Sequence, residues 1–515
     1  MATANDEPMS HPRTADSAHP WFPTQKQLFS SPSIHHIPED LLCDIFEHHL
    51  DHGGSPRDLV PVCRTWRDLA LATPRLWSGI LWVTSKPSIW RQGWACSERL
   101  IVCRTLEDLR RTLNRAKAVP LDLVIEVDVD AEVFQDGLAL LTEGGRISQW
   151  RKIYLHHALV PYHEHESYTH ELSPFSGNLF GLEEADFAAE VPILFDSIAR
   201  TATRLYSLRV ETGCHLADFP KGDWWKRLRK LEVKVHWMDE WEAMLNNQQR
   251  HEQYGTIISS CSNLEELLLF HIPLPKDSWS APSKLLSLTS FETEINFHNH
   301  GFPSTLTHLT IDNHIDHVDG TFSFPCLKHL RYTFTEFSSL PALGQLIAPA
   351  LERLELVGYK FHSYRDSVME GEFSRIWGND VESSNHLNPR SLSITNLHIR
   401  PCKLVPALRH MQAIEEMELV SVLASKEQEF YIPFRVTRRN PVENVVCPRL
   451  RCLTVEFVEQ EVLRREAVEE TMLRLVQDRK QRGVELVKFQ LRWSHKEGGT
   501  NPGWIDMLNQ ARGEN

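Results

Sequence analysis

The chain has 515 residues, 41% of them hydrophobic, and a formal net charge of −14. That length exceeds one ordinary core unless the fold is a repeat array. The acidic balance argues against nucleic acid, because phosphate backbones require clustered Lys and Arg, and the chain lacks an apolar run of the roughly 18 residues that a membrane span needs.

Residues 1–32 are rich in Pro, Ser, His and Thr and show no periodicity, so a disordered tail is expected. Asp6 and Glu7, with no apolar stretch around them, argue against a secretory signal. From Ile37 the pattern changes. Pro38 suits the first position of a helix, and Glu39 and Asp40 fall where the helix dipole favours negative charge. Leu41, Leu42, Ile45, Phe46 and Leu50 then recur at helical steps. Gly53-Gly54-Ser55-Pro56 ends that helix, and Ser55 with Asp58 suggests a capping box for the next. Leu59, Val62, Cys63, Trp66, Leu69 and Ala70 share one face, but Pro61 splits it into two short helices.

These residues carry a resemblance. Ile37-Pro38-Glu39-x-Leu41-Leu42-x-x-Ile45-Phe46, then Val62-Cys63-Arg64-x-Trp66-Arg67-x-Leu69-Ala70, then Pro74-x-Leu76-Trp77, resembles an F-box of the form common in fungal proteins. Ile37 stands where that family usually has Leu. The resemblance implies an all-helical module over residues 33–83 that docks on a Skp-type adaptor and so joins a cullin ubiquitin ligase. By resemblance, the adaptor-binding residues are Ile37, Pro38, Leu41, Leu42, Ile45, Phe46, Leu59, Val62, Cys63 and Trp66.

Ile80-Leu81-Trp82-Val83 reads as the first strand beyond the module. Residues 84–120 read as a helical linker, with Leu106, Leu109, Leu113 and Ala116 on one helix face and Pro120 ending it. Leu121 to Val127 is a strand. From there to about residue 495 a unit recurs, apolar-x-x-apolar-x-apolar: Trp150/Ile153/Leu155, Leu205/Leu208/Val210, Leu228/Leu231/Val233, Leu264/Leu267/Leu269, Leu306/Leu309/Ile311, Leu327/Leu330/Tyr332 and Leu351/Leu354/Leu356. It continues at Ile394/Leu397/Ile399, Ile414/Met417/Leu419, Leu450/Leu453/Val455 and Leu486/Phe489/Leu491. Several spacings lie between 20 and 24 residues, and others reach 36. The pattern resembles leucine-rich repeats, in which stacked turns bury each other's leucines. The fold class expected is therefore α/β: the all-helical module, then an irregular leucine-rich-repeat-like solenoid with a parallel sheet over 121–495. The Asn or Cys that usually follows the strand is missing from most turns. The alternative is an α/β domain with strands buried on both faces. Residues 237–253 and 458–482 suit outer helices, and residues 496–515 a polar tail.

Residues 153–199 hold no Lys or Arg, eight acids and five histidines. They read as a mobile insertion between repeats, with His156 to Phe187 the most protease-sensitive part. His165-Glu166-Ser167-Tyr168-Thr169-His170 invites a zinc-protease reading, but the second His stands at i+5 where a zinc helix needs i+4. No phosphate loop, nucleophile elbow or dinucleotide fingerprint is present. Ten cysteines form no C-x-x-C pair, and no Asn-x-Ser/Thr acceptor occurs, which fits a cytoplasmic or nuclear protein.

No catalytic residue, metal or cofactor is expected. The resemblance implies the substrate-recognition subunit of a Skp–cullin–F-box ubiquitin ligase, a non-catalytic receptor that holds a protein target. The alternative is a repeat scaffold that binds a partner without ligase activity. Side chains that alternate with the buried ones would form the target-binding face, among them Lys152, Arg209, His308, His329, Glu355, Asn396, Glu416 and Glu418. On it Arg331, Arg353 and Arg400 are the candidates for capturing an acidic or phosphorylated segment, because Arg grips carboxylate and phosphate bidentately. The competing possibility is that these Arg pair with Glu355, Glu416 or Glu418 in surface ladders.

Overall fold

The computed structural model describes residues 37–83, 100–127, 131–157, 177–188, 192–212, 222–235, 255–270, 282–291, 302–312, 322–334, 346–358, 387–396, 408, 411–423, 446–458, 465–481, 483–494 and 505–508. The N-terminal part is helical. α1 spans Glu39–Asp51, α2 Pro56–Leu59 and α3 Arg64–Ala72, followed by a 3-10 turn at Pro74–Trp77. Pro38 sits one position earlier than expected: with ψ at 146° it is extended and caps α1 from outside. Ser55 and Asp58 form the capping box of α2, the Asp58 carboxylate accepting the Ser55 N–H at 2.9 Å. Cys63 Sγ accepts the Trp66 N–H at 3.4 Å and starts α3. Leu42, Phe46, Leu50, Leu59, Ala70, Leu76 and Trp77 bury between the helices. The Phe46 and Trp66 rings meet edge to face at 4.9 Å.

This unit joins the rest through Trp77. Its indole N–H donates to the Ala70 carbonyl at 2.8 Å, and Arg115 of α4 (Leu106–Ala116) lies over its ring at 4.4 Å. The strand Gly79–Val83, β1, follows directly and is buried along its whole length.

Beyond β1 come β2 (Ile101–Cys103), β3 (Leu121–Val127), β4 (Trp150–His157), β5 (Glu184–Ala188), β6 (Ser207–Thr212), β7 (Lys230–Val235), β8 (Glu266–Phe270), β9 (Ser287–Phe291) and β10 (His308–Asp312). Then come β11 (Phe322–Ser323), β12 (His329–Phe334), β13 (Leu346–Ile347), β14 (Arg353–Gly358), β15 (Ser391–Thr395), β16 (Glu416–Leu423), β17 (Cys452–Val458), β18 (Lys488–Ser494) and β19 (Ile505–Asp506). β11 and β13 pair only with each other. All the others form one open sheet, with β2 beside β1, β1 beside β3, and each later strand beside the next in chain order. Every pairing in it is parallel except β18 with β19, which closes that edge antiparallel.

The strands stack in one register. Leu208 pairs with Leu231, Leu231 with Leu267, Leu267 with Leu288, Leu288 with Leu309, Leu309 with Leu330, and Leu330 with Leu354. Each is 2% exposed or less, so one unbroken row of leucines fills the inner face. Among the described returns, α5 (Ala131–Thr142) precedes β4 and α6 (Pro192–Thr201) precedes β6. The longest described helix, α7 (Arg465–Gln481), lies in the return from β17 to β18 and has Val468, Met472, Leu475 and Val476 buried.

A backbone device repeats at each turn. The Glu183 carbonyl accepts the N–H groups of Tyr206 and Ser207 at 3.0 and 3.3 Å. The carbonyls of Tyr206, Arg229, Glu265, Leu286, Thr307, Lys328, Glu352, Arg390, Glu415 and Arg451 each do the same for two consecutive N–H groups of the following unit. Just before several of these positions a tight turn closes on itself, as Leu264 N–H to Cys261 O and Leu327 N–H to Phe324 O. The inner residue of that turn is buried too, at Cys261, Phe324, Met411 and Cys447. The repeat thus reads apolar-x-x-Leu-x-x-Leu-x-apolar. Backbone polar groups at the start of these strands are thus satisfied by the neighbouring unit itself.

Several expectations need correcting. The unit assigned to Ile394/Leu397/Ile399 is out of register: β15 buries Leu392 and Ile394, and Leu397 and Ile399 lie outside the described residues. β5 falls inside the stretch expected to be an insertion, with Leu179, Leu182, Ala185 and Phe187 buried, so its Phe187 end belongs to the repeat. Residues 158–176 lie outside the described residues. β9 is a further unit that the sequence pattern had passed over. The segment read as a linker contributes β2 to the sheet, and the segment read as a polar tail contributes β19. Residues 1–36 and 237–253, the expected tail and outer helix, lie outside the described residues.

Candidate functional site

Two exposed surfaces stand out. The first is on α1–α3. Leu41 is 53% exposed, Ile45 44% and Val62 51%, although all three are large aliphatic residues. Leu41 and Ile45 are four apart on α1 and share a face. The structure therefore divides the residues that the F-box resemblance names. Leu42, Phe46 and Leu59 point inward and hold the helices together. Ile37, Cys63 and Trp66 are half-buried, and Pro38, Leu41, Ile45 and Val62 face out. The side chains of Leu42, Phe46 and Leu59 are thus core groups of the helical unit and are not exposed for contact.

The second surface is the outer face of the sheet, where residues alternating with the buried ones emerge. Near its start the charges neutralise one another. Arg151 forks onto Asp122 through Nε at 2.8 Å and through its Nη2. Lys152 pairs with Glu184 at 3.1 Å, and Arg209 sits between Asp186 and Glu232 at 3.7 and 3.1 Å. The Tyr206 hydroxyl donates to Glu184 at 2.5 Å. That hydrogen bond is the main reason the Tyr206 pKa is pushed up to about 12. A cleft of about 630 Å³ opens at this end, lined in part by Glu183, Arg204, Tyr206, Arg229, Lys230 and Glu266. Two ion pairs lie in it, Arg204 with Glu183 at 2.5 Å and Lys230 with Glu266 at 3.2 Å.

Further along, the balance changes. His329, Arg331 and Arg353 converge on one carboxylate, Glu355, at 3.3, 3.6 and 2.6 Å. The Glu355 side chain is only 11% exposed, whereas those of Arg331 and Arg353 are 47% and 53% exposed. Burial holds the His329 pKa below its ordinary value; Glu355 opposes that, and Arg353 and His308 add to it. The His308 ring stands edge-on to His329 at 5.8 Å. The ladder pairing with Glu355 is thus present, yet two guanidinium groups share one carboxylate. Arg400, the third candidate, lies outside the described residues, and the outward positions of its expected strand are Ser391, Ser393 and Thr395.

Among the described residues no group of three or more His, Cys, Asp or Glu is placed to hold a metal ion, and no helix is long and apolar enough to cross a membrane. The seven described cysteines are free thiols. Burial pushes Cys261 up to about 12 and, with a small opposing pull from Arg479, Cys447 as well, so both behave as core residues. No protein-family model matches the chain, and no curated protein matches it.

Proposed function

We propose that this chain is the target-binding subunit of a Skp–cullin–F-box-type ubiquitin ligase, located in the cytoplasm or nucleus. Helices α1–α3 serve as the F-box and dock on a Skp-type adaptor, and the sheet belongs to a leucine-rich-repeat-like solenoid whose outer face takes a protein target. Such a subunit performs no bond chemistry; it raises the effective concentration of the target beside a ubiquitin-charged enzyme.

The observation that carries this reading is the exposure of Leu41, Ile45 and Val62 on a helical unit that already has its own core. Folding leaves these aliphatic side chains about half in water, so each forgoes about half of the roughly 1.5–3 kcal/mol that full burial is worth. They occupy positions that the F-box resemblance assigns to the adaptor's groove. The Leu41→Ala, Ile45→Ala, Val62→Ala triple variant should lower recovery of a Skp-type adaptor by at least about tenfold, with thermal stability retained. Full adaptor recovery by the triple variant would refute the assignment. Ubiquitin transfer to a captured target, reconstituted with adaptor and cullin, separates a ligase receptor from a scaffold that only binds.

A further inference from the structure

We infer that the outer face of β14–β16 is a two-sided groove for an extended peptide of alternating acidic and basic residues. This rests on the outer face being the target-binding surface and specifies the class of segment it takes.

The groove follows from the register. Arg353, Ser391 and Glu416 lie side by side in one row, and Glu355, Ser393 and Glu418 in the next, with Arg331 beside Glu355. The strand in the middle, β15, presents only Ser391, Ser393 and Thr395 on this face. Their side chains end at a hydroxyl, short of their neighbours. On one side rise the Arg331 and Arg353 guanidiniums above the buried Glu355. On the other side Glu416 and Glu418 are exposed, and no cation pairs with either among the described residues. Ser393 donates to Glu418 at 3.1 Å, which fixes a carboxylate at the groove's edge.

Neighbouring strands lie about 4.8 Å apart, so β14 and β16 stand roughly 10 Å apart across β15, and Arg331 reaches in from β12, one strand further out. That suits one extended chain lying along the hydroxyl floor. Successive side chains of such a chain point to opposite sides, and same-side neighbours are about 6.6 Å apart. The rows of the groove repeat at the same interval, because they too are set by every second residue of a strand. A segment laid with its alternate residues toward the walls therefore matches row for row: carboxylates against Arg353 and Arg331, ammonium or guanidinium groups against Glu416 and Glu418. A uniformly acidic peptide would meet Glu416 and Glu418, and a uniformly basic one would meet the arginines.

The test uses the full chain and labelled octapeptides, followed by fluorescence anisotropy at low ionic strength. An alternating Glu-Lys peptide should bind about tenfold more tightly than a peptide of the same composition with its Glu and Lys in two blocks. Both Arg331→Glu with Arg353→Glu and Glu416→Lys with Glu418→Lys should weaken the alternating peptide by about tenfold, and combining all four substitutions should restore it with the peptide shifted by one residue. Equal binding of the two peptides, no binding of either, or indifference to the Glu416 and Glu418 changes would overturn the groove. In the last case a plain anion site at the arginines is left. Adaptor recovery from the same preparations reports separately on the ligase reading: its absence in the wild type removes that reading, while the peptide comparison still decides the groove.

Discussion

Helices α1–α3 and the outer face of the sheet expose opposite chemistry. The helices leave aliphatic side chains in water at Leu41, Ile45 and Val62, while the sheet face meets water with charged and hydroxyl groups that largely pair with one another. The difference lies in what each can do without. A docking surface that stays apolar in the free protein gains area on binding and awaits a fixed partner. A face of compensated ion pairs gains little from generic contact, since each surface pair is worth about 0–1 kcal/mol, and it discriminates by charge pattern instead. One surface suits a constant partner, the other a selected one.

The sharpest way to break this comparison uses two adjacent leucines. Leu42 is buried at 1% and Leu41 is 53% exposed. Leu42→Ala should cost about 2–5 kcal/mol in chemical denaturation of the helical unit. Leu41→Ala should stay within about 0.5 kcal/mol of wild type while still weakening adaptor recovery. If both variants unfold alike, Leu41 is a folding residue and the exposed apolar surface loses its meaning.

A smaller effect is expected at Arg479, a fully buried guanidinium near the end of α7. It donates to the carbonyls of Cys447, Leu450 and Val484, all within 3.2–3.4 Å. Burial pulls its pKa down to about 10, which leaves it a cation at neutral pH. It ties the helix to the turn before β17, so a charge is used here for architecture and not for a partner. Arg479→Met should cost about 1–3 kcal/mol by stranding those carbonyls, measured by thermal melting, and should leave adaptor recovery unchanged. Loss of adaptor binding at a normal melting temperature would show that the two regions are coupled.

The smallest effect concerns pH. The folded-state pKa of His329 lies below its ordinary value, so on acidification the unfolded chain takes up its proton first. Its contribution to stability is therefore present above a pH of about 6.5 and falls as pH drops through that value. The melting temperature of wild type should decline slightly more between neutral and mildly acidic pH than that of His329→Gln. An equal decline would mean that His308, Arg331, Arg353 and Glu355 together leave this imidazole unperturbed.

The sequence by itself determined the helical unit and the repeating strands. The Ser55 cap divides α1 from α2 and Pro61 divides α2 from α3, and the leucine spacing marks β6, β7, β8, β10, β12 and β14 with their buried residues. These features are local: they depend on dihedral preference and on periods of two and three to four residues. β5, β9 and β15 escaped because one position in each departs from the pattern. Ala185 and Ser290 stand at the apolar sites of β5 and β9, and Pro389 precedes β15 where a leucine usually stands. Ala185 keeps its place in the stack all the same, pairing with Leu208 at 3% exposure. The side chains that face outward could be named from alternation, but not their partners. Whether Arg331 and Arg353 meet Glu355, and whether Glu416 stands across Ser391 from Arg353, depends on the register between units separated by unequal returns. Register is fixed by the stacked leucines and the carbonyls that each accept two N–H groups, and these form only between segments far apart in the chain.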